Sequence, residues 1–109
     1  MKWTTHILWG IAVLSILHVD LPTAAAAAAV HTAVTDTLGH KGLRRNKYHD
    51  LISILTSVVI FVYLHNPAYL TLGVIHILLD AVSHGKLAVS WAYNAIWSLP
   101  AALLIALVY

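Results

Sequence analysis

The chain has 109 residues, of which 61% are hydrophobic and 9% charged, and a mean hydropathy of +0.84. Those values exclude an ordinary soluble or disordered domain and place it in the membrane class. The absence of cysteine removes disulfides, thiolate zinc sites and a thiol nucleophile, and the net charge is only +2.

Apolar periodicity and breakers predict five segments. The first runs from about Trp3 to Val19 and stops at Asp20, Leu21 and Pro22, with Asp20 reading as a helix terminator. The second runs from about Thr23 to Leu38, where Gly39 suits a C-terminal cap. Its Ala24 to Ala29 run offers small side chains for close helix approach. After a basic loop, Lys41 to Lys47, the third runs to Leu64 with Asn46 as an N-cap. His65, Asn66 and Pro67 make a turn, and Pro67 suits the first position of a fourth segment ending near Ser83. Leu87 to Trp97 forms a short stretch, and Pro100 opens Ala101 to Tyr109.

The expected fold is therefore all-α: an integral membrane helical bundle in a single domain over 1–109, four core helices plus a C-terminal fifth. Each core span is about 16 to 18 residues, or about 24 to 27 Å, just short of a hydrocarbon core of about 30 Å. A cleaved leader would discard His6 and break the repeat described next, so the N-terminal segment is read as a helix.

One three-residue set occurs twice: His6, Asp36, His40, and then His49, Asp80, His84. It divides the chain into repeat one, about 3–40, repeat two, about 47–84, and a C-terminal segment, 87–109. An Asp at the centre of a spanning helix costs about 2.5 to 3.5 kcal/mol and needs a partner. Threading four spans puts Lys2, Lys41, Arg44, Arg45, Lys47 and Lys86, all six basic residues, on one side. The positive-inside rule makes that side cytoplasmic. His6, Asp36, His40, His49, Asp50, Asp80 and His84 fall within about two turns of the same face, in two hairpins related by a pseudo-two-fold axis along the membrane normal.

Imidazole and carboxylate donors without sulfur suit a catalytic site for zinc first, with manganese or iron as alternatives, as one or two ions. Asp80 shares a helix face with His84 and His76. A divalent ion activates water and clamps the oxygens of a phosphoester. Arg44 and Arg45 supply charge for a phosphate. Asp50 is a further ligand, a general base, or simply a favourable charge in the first turn of its helix. The basic loop also serves topology or anionic lipid. His18 and His65 read as interfacial, His31 as a helix-packing hydrogen bond, and the tryptophans as interfacial or packing residues.

The segments Thr5 to Gly10, Asp36 to His40, Arg44 to Asp50 and Gly73 to Asp80 resemble the predicted membrane-bound metal-dependent hydrolases. That family includes a LexA-regulated inner-membrane hydrolase and shorter archaeal and viral relatives, and is distantly similar to zinc-dependent phospholipase C. The resemblance implies that Arg45 and His49 match one family motif, His76 and Asp80 a second, and His6 the N-terminal histidine. Asp50 stands where the family usually has Ser, and His40 where its pattern varies.

The sequence thus leads to a membrane metal-dependent hydrolase of a phosphoester in a lipid or membrane-associated substrate, with no nucleic acid as primary partner. Its ligand candidates are His6, Asp36, His40, His49, His76, Asp80 and His84. Two alternatives stand beside it: a metal-stapled membrane scaffold or envelope protein, and an ion or proton conduit.

Overall fold

The computed structural model describes residues 2–41, 44–45, 48–83 and 86–109, with backbone alone at 39–41 and 44–45. The elements are α1 (Trp3–Ile16), α2 (Leu21–Gly39), β1 (His40–Lys41), β2 (Arg44–Arg45), α3 (His49–Leu64), a 3₁₀ turn (Pro67–Tyr69), α4 (Leu70–Ala81), α5 (Lys86–Val89) and α6 (Trp91–Val108). Among the described residues the regular structure is all helical apart from the two-residue antiparallel pairing of β1 with β2, His40 opposite Arg45 and Lys41 opposite Arg44. α1 packs against α2, α4 and α6, and α3 packs against α2 and α4. The Cα extents of 34 × 29 × 17 Å make the bundle about two helices thick.

The element ends follow local chemistry. α1 closes with His18 in the left-handed region (φ 66°) while Val19 N–H reaches Leu14 O at 3.0 Å, a Schellman-type end normally given to glycine. Asp20 does more than terminate α1. Its Oδ2 accepts from Thr23 N–H (3.1 Å) and the Thr23 hydroxyl (2.7 Å), capping α2, which therefore starts at Leu21 rather than Thr23. These bonds hold the Asp20 carboxyl below its ordinary range. α3 begins at His49, with Tyr48 in the N-cap position and no side-chain cap; Asn46, the expected cap, lies outside the described residues. Asn66 Oδ1 accepts from Ala68 N–H at 3.0 Å, and Pro67 opens the 3₁₀ turn.

The C-terminal segment departs from expectation. Pro100 does not separate two stretches: α6 runs through it without a break. The ring deprives the Ile96 carbonyl of its usual donor, but the contact with α1 restrains this region. Ala101 is fully buried, and the Trp9 indole N–H donates to Trp97 O at 2.9 Å. Ser90 caps the helix through Tyr93 N–H at 3.2 Å. α6 is also the one described helix long and apolar enough to cross a membrane by length and composition.

The two halves of the bundle have opposite character. Ile11, Leu14, Ala24, Ala28, Ile60, Tyr69 and Leu72 form an apolar core towards the ends that carry Val19 and Pro67. At the other end the buried residues include Thr5, His6, Thr35, His49, Ser53, His76 and Asp80, with Leu79 among them. Meanwhile Leu51, Leu55, Val59, Val62, Val74, Leu78, Leu103 and Leu107 are exposed. Small residues bring the helices close. A Cβ on Gly10 would lie 2.9 Å from Ala28 Cβ, and one on Gly73 would lie 2.5 Å from Ser57 Oγ and 3.0 Å from Ser53 O. The Ser53 hydroxyl donates to Gly73 O at 3.0 Å, fixing the α3–α4 spacing. Gly73→Ala forces those backbones apart and is expected to lower unfolding stability by about 1 to 3 kcal/mol, read by thermal or denaturant unfolding in detergent; an unchanged midpoint contradicts the close approach.

Candidate metal centre

The polar end of the bundle collects donors from four helices. α1 brings His6, α2 brings Asp36, the first turn of α3 brings His49, and one face of α4 brings His76 and Asp80, spaced i and i+4. His6 Nε2 lies 3.0 Å from Asp80 Oδ1, and His49 Nε2 lies 3.1 Å from Asp80 Oδ2. His76 Nε2 lies 3.0 Å from Asp36 Oδ1 and 3.6 Å from Asp80 Oδ2, and His49 Nε2 lies 3.5 Å from Asp36 Oδ1. Both carboxylates thus serve imidazoles from more than one helix. The side chains of all five are only 1 to 7% exposed.

The rings are tightly arranged. His6 and His76 stack with centroids 3.9 Å apart and planes 7° from parallel, and His49 tilts 41° to His76 at 5.2 Å. One donor atom from each of His6, Asp36, His76 and Asp80 fits within a sphere of mutual distances of 4.8 Å, a group able to hold a metal ion. Ligands sharing a tetrahedral ion at about 2.0 to 2.1 Å sit about 3.3 Å from one another. The His–Asp separations here, 3.0 to 3.6 Å, are compatible with that spacing and, at their short end, are also those of direct imidazole–carboxylate hydrogen bonds.

His49 connects this interior to the surface. Its Nε2 faces the two buried acids, whereas its Nδ1 lies 3.1 Å from Oδ1 of Asp50, which is 55% exposed. A carboxylate on the outer nitrogen of an imidazole fixes ring orientation and directs the inner nitrogen towards a metal. That geometry makes Asp50 an orienting group for His49. His31 makes its hydrogen bond across helices, with Nε2 at 2.9 Å from Ser53 O, and presents an edge to His76 at 5.5 Å.

Of the remaining candidates, His84 lies outside the described residues. For His40, Arg44 and Arg45 the backbone is described and the side chains are not. Sequence reasoning missed the polar seam beside the cluster: Thr5, Asn94 and Ser98, which join α1 to α6. A lone amide in an otherwise apolar helix is costly enough to have flagged Asn94.

Three buried atoms near these groups, His6 Nδ1, His76 Nδ1 and Thr35 Oγ1, have no hydrogen-bond partner among the described residues. Buried polar atoms in that state cost about 1 to 3 kcal/mol each. No family model matches this chain, and no curated protein or solved structure matches it either. The Thr35 hydroxyl gives a direct check. In chelator-treated protein Thr35→Val, isosteric and apolar, is expected to leave stability unchanged or raise it by up to about 1 kcal/mol, read by thermal unfolding; a clear loss would mean that the hydroxyl has a partner of its own.

Proposed function

We propose that this chain is a membrane-embedded, metal-dependent hydrolase acting on a phosphoester in a lipid or membrane-associated substrate. The observation that carries the reading is the convergence of three imidazole Nε2 atoms and two carboxylates, from four helices, in one buried cluster. Uncompensated acids there would be too costly. The imidazoles offset them in part, and a cation shared by the same donors offsets them further.

His6, Asp36, His49, His76 and Asp80 hold the ion in this reading, with zinc the first choice and manganese or iron alternatives; His40 and His84 remain further ligand candidates. A bound divalent ion supplies Lewis-acid polarisation of a phosphoryl oxygen and activation of water. Asp50 orients His49 and stands at the exposed edge, where a proton can leave to solvent. Arg44 and Arg45 lie in the chain between Asp36 and His49, so their guanidinium groups are the ones to hold a phosphate. The family resemblance carried by Arg45, His49, His76 and Asp80 points the same way.

Lipid as the surrounding solvent is supported by the many large aliphatics exposed along α3, α4 and α6 and by the length of α6. The bundle is placed with its basic loops and metal end towards the cytoplasm, on the positive-inside rule.

A second reading has its own support. Side chains only 1 to 7% exposed suit a closed coordination shell, and such a centre would staple the hairpins of a membrane scaffold without catalysis.

Elemental analysis of the purified protein separates these readings. One or two divalent transition metals per chain are expected, with occupancy falling at least about tenfold in Asp80→Asn and His6→Ala, and about tenfold in affinity for Asp50→Ala. Cleavage of a phosphomonoester, phosphodiester or phospholipid by loaded protein, lost in Asp80→Asn, supports the hydrolase. Stoichiometric metal with every ester intact, and a melting temperature that drops on chelation, supports the scaffold. Protein without stoichiometric metal removes both.

A further inference from the structure

α6 supplies none of the donors described above, yet its first turn grips both backbones that carry the His6–Asp80 contact. Asn94 is 2% exposed, and every hydrogen-bonding position of its amide is used. Its Oδ1 accepts from Lys2 N–H at 2.8 Å and from the Thr5 hydroxyl at 2.9 Å. Its Nδ2 donates to Ser90 O at 2.8 Å and Ala88 O at 3.1 Å. The Lys2 carbonyl in turn accepts the amide of His6 at 3.2 Å, and Thr5 directly precedes His6. The grip therefore falls on the first turn of α1, which has no side-chain cap of its own.

The neighbouring residue reaches the other partner. The Tyr93 hydroxyl donates to Val82 O, at the C-cap of α4. Two residues upstream stands Asp80, whose carbonyl accepts Ser83 N–H at 3.3 Å. The Ser98 hydroxyl, 3.1 Å from the Thr5 hydroxyl, and Lys2 Nζ, 4.0 Å from the centre of the Trp91 ring, extend the contact on both sides of Asn94.

We propose that Asn94 and Tyr93 are positioning residues that set the separation of His6 from Asp80, so that α6 completes the centre without contributing a ligand. The consequence for affinity rests on reading the cluster as a metal centre; the consequence for His6 itself does not. A helix that only filled space in the bilayer would need neither a fully bonded buried amide nor a hydroxyl on the end of α4. Partners that orient a ligand typically change metal affinity by about 10- to 100-fold when removed.

The experiment uses the full chain in detergent and two readouts. In metal-free protein, ¹⁵N-imidazole spectra follow His6, assigned by His6→Ala, with His31 as the internal control because its ring is held by Ser53 O. Thr5→Val, Asn94→Ala and Tyr93→Phe are each expected to shift or broaden His6 and spare His31, whereas Thr5→Ser, which keeps the hydroxyl, retains the native signal. In cobalt titrations Asn94→Ala is expected to weaken binding about 10- to 100-fold, but by less than about twofold on a His6→Ala background. An unperturbed His6, equal disturbance of His31, or the same loss in both backgrounds overturns the proposal. If the native chain takes up no cobalt, the metal reading fails and the imidazole spectra alone decide the clamp.

Discussion

Two carboxylates that must be kept out of water set the terms for this fold. Asp36 and Asp80 come from different hairpins, and each meets imidazoles from more than one helix: Asp80 touches His6, His49 and His76, and Asp36 touches His49 and His76. Asp80 meets two imidazoles of its own hairpin, His49 and His76, yet the full set crosses between the hairpins. His6 of the first contacts Asp80 of the second, and His49 of the second reaches Asp36 of the first, so the cluster exists only when the hairpins are docked. The acids that would be costly in an isolated helix are met where four helices come together.

That requirement explains the division of the interior. On the proposed membrane reading, apolar side chains gain little by packing together, and association relies on close contact and interhelical hydrogen bonds. The alanine run of α2, Gly10 and Gly73 allow the approach, while Ser53, Ser57 and His31 bond across or along it. The apolar half around Leu14, Ile60, Tyr69 and Leu72 then works as a packed floor beneath the polar half. Large aliphatics face outward along α3, α4 and α6, where a soluble protein would carry charge.

The first turn of α6 illustrates how a peripheral element becomes part of a site. Its polar side chains are few, and they all turn towards α1 or the end of α4. Pro100, which in isolation would end a helix, is carried because α1 supports this stretch through the Trp9 indole and the buried Ala101.

By itself the sequence determined the helical class and the main segments, and it singled out His6, Asp36, His40, His49, His76, Asp80 and His84, of which His6, Asp36, His49, His76 and Asp80 come together in the described residues, because apolar periodicity and misplaced charge are local signals that need no partner to be read. It also placed the turn at Asn66 and Pro67, where the cap and the fixed φ of proline act within a few residues. Only the tertiary structure decided which imidazole meets which acid, since that depends on helix rotation and on groups as far apart along the chain as His6 and Asp80 coming together. The same holds for Asp20 as a cap of α2 rather than the end of α1, for Pro100 inside α6, and for Asn94. In each case a local preference was outweighed, or given its purpose, by a group that the chain brings close only after it has folded.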